Sequence, residues 1–380
     1  MDRRRWLLAS KPQACQALPT GFKPMPQSAT KRKTLELADS WGYPFGYLPM
    51  AYWELAPIYQ ARVWGGRTLE TSYGRVLPPG QFIGESWELC DRPEAQSYTL
   101  EGQIPLGELW RRDRKRIFGE FSPDSSRLPL LVKLLDCREP TSVQVHPNRS
   151  ALQAMGHEPK AEAWYFLRTE PGAGFHAGFR RHTDPEEIRR TLRSALLLEF
   201  LHWIPSQAGQ FFYNPAGRIH ALGAGNLVFE VQENSDTTYR LYDWGRKREK
   251  ERELEAWETV HACIQWDDWE PEPHFSPGSW SVELPFCSFW RTVLTRAEPS
   301  FWHPAGKSFL YHFCAEGSIR FFDREFGPGR GWLVSADHPS YTLEALSESA
   351  ILLTVGFPGL ASESLGGKAP VVGGKSKARS

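Results

Sequence analysis

Apolar runs in this 380-residue chain are short, rich in aromatic and β-branched residues, and broken every few positions by Gly, Pro, Asn or Asp. Residues 142–145, 163–167, 210–213, 227–232 and 308–313 are examples. Runs of that length suit strands of about 4–8 residues, whereas a helix needs a 3.6-residue period sustained over about ten or more. Many short strands separated by turn signals predict a mainly β protein, built as a barrel or a sandwich. One helix is well marked. Asp184 can cap it, Pro185 suits its first turn, Glu187 completes a capping box, and Ile188, Leu192 and Ala195 fall on one face. A second is expected from near Glu253 to Ile264, and the charge-alternating run 246–253 reads as a solvated surface.

Such strands have ample material for a core, since 41% of residues are hydrophobic and 16 are Trp. Lys plus Arg and Asp plus Glu each number 45, which argues against a nucleic-acid partner gripped by bulk positive charge. No apolar run approaches the roughly 20 residues of a membrane helix, so no membrane partner is expected. The cysteines at 15, 90, 137, 263, 287 and 314 form no CxxC pair and read as free, mostly buried thiols in a reducing compartment. Arg3, Arg4 and Arg5 precede only four apolar residues, too few for a secretory signal, so the predicted location is cytoplasmic. Residues 1–50 carry eight Lys or Arg against three acids and read as a poorly ordered basic extension, with Met50 as a second start. Residues 51–270 are predicted to form the principal domain, 271–360 a smaller β-barrel, and the Gly- and Lys-rich 361–380 a flexible tail.

The chemistry concentrates in three segments. In 141–148, Ser142, Gln144 and His146 share one strand face while Val143 and Val145 take the other, as suits a wall facing a polar cavity. Lys160 and Glu162 share a face just before the apolar 164–167. In 209–220, a Pro215-Ala-Gly217 turn ends one strand and delivers His220 to the next. Taken singly, each polar residue is more often a surface or packing residue. Together, Gln144, His146, Glu162 and His220 supply two imidazoles and two oxygen donors, a set that suits Zn²⁺ and also accommodates Fe²⁺, Mn²⁺ or Co²⁺.

Gly209 to His220 fits the cupin motif G-x5-P-x-G-x2-H at each fixed position. More narrowly, the chain resembles the type I phosphomannose isomerases in their short bacterial form. The resemblance runs in order through Val63-Trp-Gly-Gly66, Gly84-Glu-Ser-Trp87, 129–136, Ser142-Val-Gln-Val-His-Pro147, Lys160-Ala-Glu-Ala-Trp-Tyr165, Pro215-Ala-Gly-Arg-Ile-His-Ala221 and 230–243. It covers about residues 55–357. It implies cupin (jelly-roll) barrels, a metal-binding barrel with a smaller C-terminal one and a few helices. It also implies one Zn²⁺ per chain held by Gln144, His146, Glu162 and His220. Arg240 falls where the family has its active-site arginine, and Lys160, Ser142 and Glu230 where it has further active-site groups. Cys137, Arg149 and Gln210 depart from the usual pattern without touching a ligand.

The implied activity is interconversion of mannose 6-phosphate and fructose 6-phosphate by a monomer acting on a phosphorylated hexose. Such chemistry needs one base to move a proton between C2 and C1, a role open to Glu230, Lys160 or a metal-bound group. Glu230 is slightly preferred, because a carboxylate in a partly dry pocket is raised toward the working pH. It also needs cations for the enediolate and the phosphate, with Arg240, Lys160, Lys133 and Ser142 as donors. Two other readings stand beside it: another metal-dependent cupin enzyme such as an Fe²⁺ oxygenase, and a non-catalytic sugar-phosphate-binding cupin.

Overall fold

The computed structural model describes residues 52–148, 158–246 and 257–360, which belong to one compact unit. The predicted extension, the predicted tail and most of the charged run 246–253 lie outside the described residues. Strands dominate, as expected for a cupin. Among the described residues they form five sheets, none of which closes on its own edge.

A seven-stranded antiparallel sheet runs in the order His274–Phe275, Gln210–Asn214, Glu162–Thr169, Asn226–Glu233, Leu130–Cys137, Ile58–Gly66, Ile83–Leu89. A five-stranded sheet runs Leu201–Pro205, Gly174–Phe179, His220–Leu222, Val143–Val145, Tyr239–Tyr242. Strand alternation decides what lies between them. Phe166 and Trp164, Cys137 and Leu135, and Val228 pack there against Phe175, Ala177, Ile204 and Leu222. Further along the same strands, the same face presents Glu162, Lys133, Glu230 and Gln232, and the register sets Glu230 opposite both Lys133 and Trp164. Each strand thus changes from apolar to polar along its length. One end is packed shut and the other forms a polar cavity.

The reverse face of the seven-stranded sheet is aromatic. Tyr165, Phe211 and Phe229 pack on Phe289, with Trp280 and Phe313 beside them. These partners belong to a six-stranded sheet that shares a second core with a four-stranded one, centred on Trp302, Phe321, Trp332 and Leu352. The first described strand, Tyr52–Glu54, pairs with Gly331–Val334 in that six-stranded sheet.

The helix after Asp184 forms with its capping box, but it ends at Thr191, because Leu192 is extended and Arg193 adopts a positive φ of 66°. Leu192 still packs on the apolar cluster. Ala195 does not; it is exposed and opens a 3₁₀ turn, Ala195–Phe200, whose buried residue is Leu197. The second predicted helix is seen over Trp257–Cys263. Both helices cover the outer face of the five-stranded sheet, where Val143 and Val145 point. A third, Leu106–Phe118, was not expected; it is kinked at Asp113 and buries Leu106, Leu109, Trp110, Ile117 and Phe118. The five described cysteines are free and buried. Among the described residues, no helix is long and apolar enough to cross a membrane.

Candidate active site

Three strands bring two imidazoles and a carboxylate together. His146 follows Val143–Val145, Glu162 opens Glu162–Thr169, and His220 opens His220–Leu222. Their ligand atoms all lie within 4.8 Å of one another, and all three side chains are buried. Nε2 of His146 stands 3.1 Å from Glu162 Oε1, and Nε2 of His220 stands 3.5 Å from Glu162 Oε2. The turn that delivers His220 depends on Gly217. Its φ is 97°, a Cβ there would meet the Cys263 carbonyl oxygen at 3.0 Å, and its N–H donates to the His146 carbonyl at 2.9 Å. The two histidines are thereby tied through the backbone.

Both rings are oriented by their Nδ1 atoms. His146 Nδ1 lies 2.9 Å from the Thr237 carbonyl, and His220 Nδ1 lies 3.0 Å from that of Arg218. A ring that donates from Nδ1 presents a lone pair at Nε2. With Nδ1 carrying the proton, the buried His146 Nε2 has none to donate to Glu162 Oε1 and is left without a hydrogen bond. Burial, with Lys160 nearby, pushes the His146 imidazole down to about 3, and burial lowers His220 as well. Both are therefore neutral at pH 7, the form that binds a metal. Burial alone would raise Glu162, but the charge on Lys160, at 3.2 Å, holds it well below the usual carboxylate range.

Gln144 pairs with His220 across the five-stranded sheet, and Arg240 pairs with Gln144 on its other side. The Gln144 amide approaches His220 Nε2 at 3.1 Å, so turning the amide over points its oxygen at the cluster. Glu162 and His220 of the cluster line a cavity of about 260 Å³. On the same sheet face as Glu162, Glu230 accepts from Trp164 Nε1 at 2.9 Å and lies 3.4 Å from Lys133 Nζ. Burial and the Glu162 charge raise the Glu230 carboxyl to about 7, against the opposing pull of Lys133 and Lys160. Lys133 is itself fixed, donating to Gln232 Oε1 at 2.5 Å.

Comparison with known proteins agrees with this geometry. Residues 52–168 match the family model for the catalytic domain of type I phosphomannose isomerase. The mannose-6-phosphate isomerase ManA of Bacillus subtilis is 38% identical over 196 residues, 50% of this chain and 60% of ManA. The B. subtilis protein YvyI, named for the same isomerase, is 34% identical over 216 residues, which span 67% of YvyI. This chain belongs to the type I phosphomannose isomerase family. A crystal structure of the B. subtilis mannose 6-phosphate isomerase superposes with a TM-score of 0.69 at 26% identity, covering 80% of this chain and 99% of that one. The chain spans about three fifths of the length of ManA and of the Streptococcus mutans mannose-6-phosphate isomerase.

The residues picked from sequence fall together. Lys133, Ser142, Gln144, Lys160, Glu162, His220, Glu230 and Arg240 all line the cavity. His146 is not in its wall but lies beside His220, with ring centroids 4.9 Å apart and planes tilted by 52°. Four side chains were given no site role by sequence reasoning. Arg62, Glu85 and Asp236 line the same cavity, and buried Asn214 approaches both His220 Nδ1, at 2.8 Å, and Glu162 Oε2, at 3.4 Å. Glu85 lies in the family block Gly84-Glu-Ser-Trp87, which was the available signal for it.

Proposed function

We propose that this protein is an aldose–ketose isomerase that interconverts mannose 6-phosphate and fructose 6-phosphate, using one Zn²⁺ held by Gln144, His146, Glu162 and His220. The observation that carries the proposal is a buried His–Glu–His cluster that reaches, through Glu162 and His220, a cavity with balanced charge. Four cationic side chains, Arg62, Lys133, Lys160 and Arg240, face four anionic ones, Glu85, Glu162, Glu230 and Asp236. A divalent ion in the cluster would leave an excess of two positive charges. A phosphate dianion cancels it.

The residues fit the ion on chemistry alone. A buried Nε2 without a hydrogen bond, on a ring whose other nitrogen is committed to a carbonyl, is the arrangement of a metal ligand. When bound, the ion supplies Lewis acidity toward the sugar oxygens at C1 and C2. Glu230, as carboxylate, takes the proton from C2 of the open-chain aldose. The C–H electron pair becomes the C1–C2 double bond, and the carbonyl pair moves onto O1. The Arg240 guanidinium stabilises that oxygen charge. A proton passes from the O2 hydroxyl to O1, and Glu230 returns its own proton to C1 as the O2 electron pair forms the C2 carbonyl, so protons and electrons both balance. Lys160, against Glu162, holds charge next to the reacting oxygens, and Ser142 and Lys133 complete the substrate wall.

The test is turnover of mannose 6-phosphate followed by a coupled assay for fructose 6-phosphate. Conversion abolished by a chelator and restored by Zn²⁺ supports the reading. Oxygen uptake in place of isomerisation would transfer it to the oxygenase class.

A further inference from the structure

The ladder between Ile58–Gly66 and Ile83–Leu89 contains an excursion. Ala61 and Gly66 both register with Ile83, so residues 62–65 leave the ladder and rejoin it at the same partner. Bulges of this kind re-aim side chains. Arg62 and Trp64 become part of the cavity wall, while Val63 between them is exposed. Gly84 permits the close approach. A Cβ there would stand 2.5 Å from Arg62 Cβ and 2.9 Å from Trp64 Cζ3, so the excursion lies directly on the opposite backbone.

Arg62 differs from the buried lysines of the cavity. Its side chain is 33% exposed, against 5% for Lys133 and 6% for Lys160. Those two are committed to internal partners, Lys133 to Gln232 and Glu230 and Lys160 to Glu162. Arg62 is held chiefly by Glu85, through Nε to Oε1 at 2.8 Å and Nη2 to Oε2 at 3.2 Å. Glu85 does not depend on that pair. It also accepts from Trp87 Nε1 at 2.7 Å and lies 3.9 Å from Lys133 Nζ. The guanidinium fork can therefore turn to another anion while Glu85 keeps two partners. A hexose 6-phosphate whose C1 and C2 lie at the His–Glu–His cluster carries its phosphate at the other end of the molecule, and an accessible guanidinium fork lining the same cavity suits phosphate oxygens.

We propose that Arg62 recognises the substrate phosphate by exchanging Glu85 for it, and so selects phosphorylated over free sugars. The identity of the substrate rests on the isomerase reading; the anion site does not. Wild type, Arg62→Ala, Arg62→Lys and the double variant Arg62→Ala/Glu85→Gln should be compared by mannose 6-phosphate turnover and by calorimetric titration with inorganic phosphate. Arg62→Ala should raise KM roughly 10- to 100-fold and leave kcat within about threefold, the range expected for a lost charged hydrogen bond used in binding. Phosphate affinity should fall by a similar factor, and lysine should recover part of it. The double variant separates contact from repulsion: it should stay weak if Arg62 itself grips the phosphate. Phosphate affinity unchanged in Arg62→Ala, or normal in the double variant, would overturn the proposal, as would a wild type with no measurable phosphate affinity. A wild type that binds phosphate through Arg62 yet converts no mannose 6-phosphate would sink the isomerase reading alone.

Discussion

Gln144 and His220 stand opposite one another on neighbouring antiparallel strands, with Nε2 atoms 3.1 Å apart. That pairing joins two segments 76 residues apart in the chain and places a side-chain amide beside a ring nitrogen whose partner nitrogen is already bonded to a carbonyl. Two neutral groups meeting this way, next to a buried carboxylate, gain most from a cation between them.

His146→Ala and His220→Ala should therefore each lose both bound metal and turnover. Elemental analysis of purified variants checks this directly. Full metal content in either variant would remove that residue from the ligand set.

Arg240 should behave differently from the ligands. Arg240→Ala should keep its metal and its melting temperature and lose about 10²–10³ in kcat, with a smaller change in KM, if its charge acts mainly on the enediolate. Arg240→Lys should recover only part, because one ammonium cannot reproduce a planar two-pronged donor. A large rise in KM at near-normal kcat would make Arg240 a binding group and pass the charge-stabilising role to Lys160.

Glu230 gives a pH signature with a definite sign. Its folded carboxyl is raised to about 7 from an ordinary value of 4.5, so between those values the folded protein keeps a proton that the unfolded chain releases. Stability of the metal-free protein should fall as pH rises through that window, and Glu230→Gln should remove this part of the slope. Glu162 titrates on the other side: its folded value lies well below 4.5, so its contribution is lost only as pH falls below that value. Melting temperatures of wild type and Glu230→Gln from pH 5 to 8 test the assignment, and identical slopes would refute it. In turnover, Glu230→Gln should cost about 10²–10⁴, the usual weight of a positioned base.

How far these features were legible depends on whether local pattern or distant pairing produces them. The two-residue alternation of Ser142, Gln144 and His146 against Val143 and Val145 is local, and those valines do pack under the helices Pro185–Thr191 and Trp257–Cys263. The end of the first of these helices was misplaced because the break is made by Arg193, whose left-handed backbone carries no composition signal. Leu106–Phe118 was missed because the run 111–116 interrupts its apolar face, and the kink at Asp113 shifts the period again. Arg62 could not be read as a cavity residue at all. Its inward aim comes from an excursion defined by pairing with Ile83, about twenty residues away.

The packing of the first described strand gives a truncation test. A chain beginning at Met50 should melt within roughly 2 °C of the full chain. One beginning at residue 56 also loses buried Trp53 and the Glu54 carboxylate, which pairs with Arg324 and Arg330, and should lose about 3–5 kcal/mol. Thermal or urea unfolding of the two truncations distinguishes them. Equal stability would show that the pairing with Gly331–Val334 contributes little.

Conversion of mannose 6-phosphate by purified wild-type protein, assayed as received, after exhaustive chelation and after return of one equivalent of Zn²⁺, tests the central claim most directly. The expected result is fructose 6-phosphate formed in the first sample, loss of at least 90% of the rate in the second, and recovery in the third. A rate untouched by complete metal removal, or no fructose 6-phosphate from fully loaded protein, would contradict it.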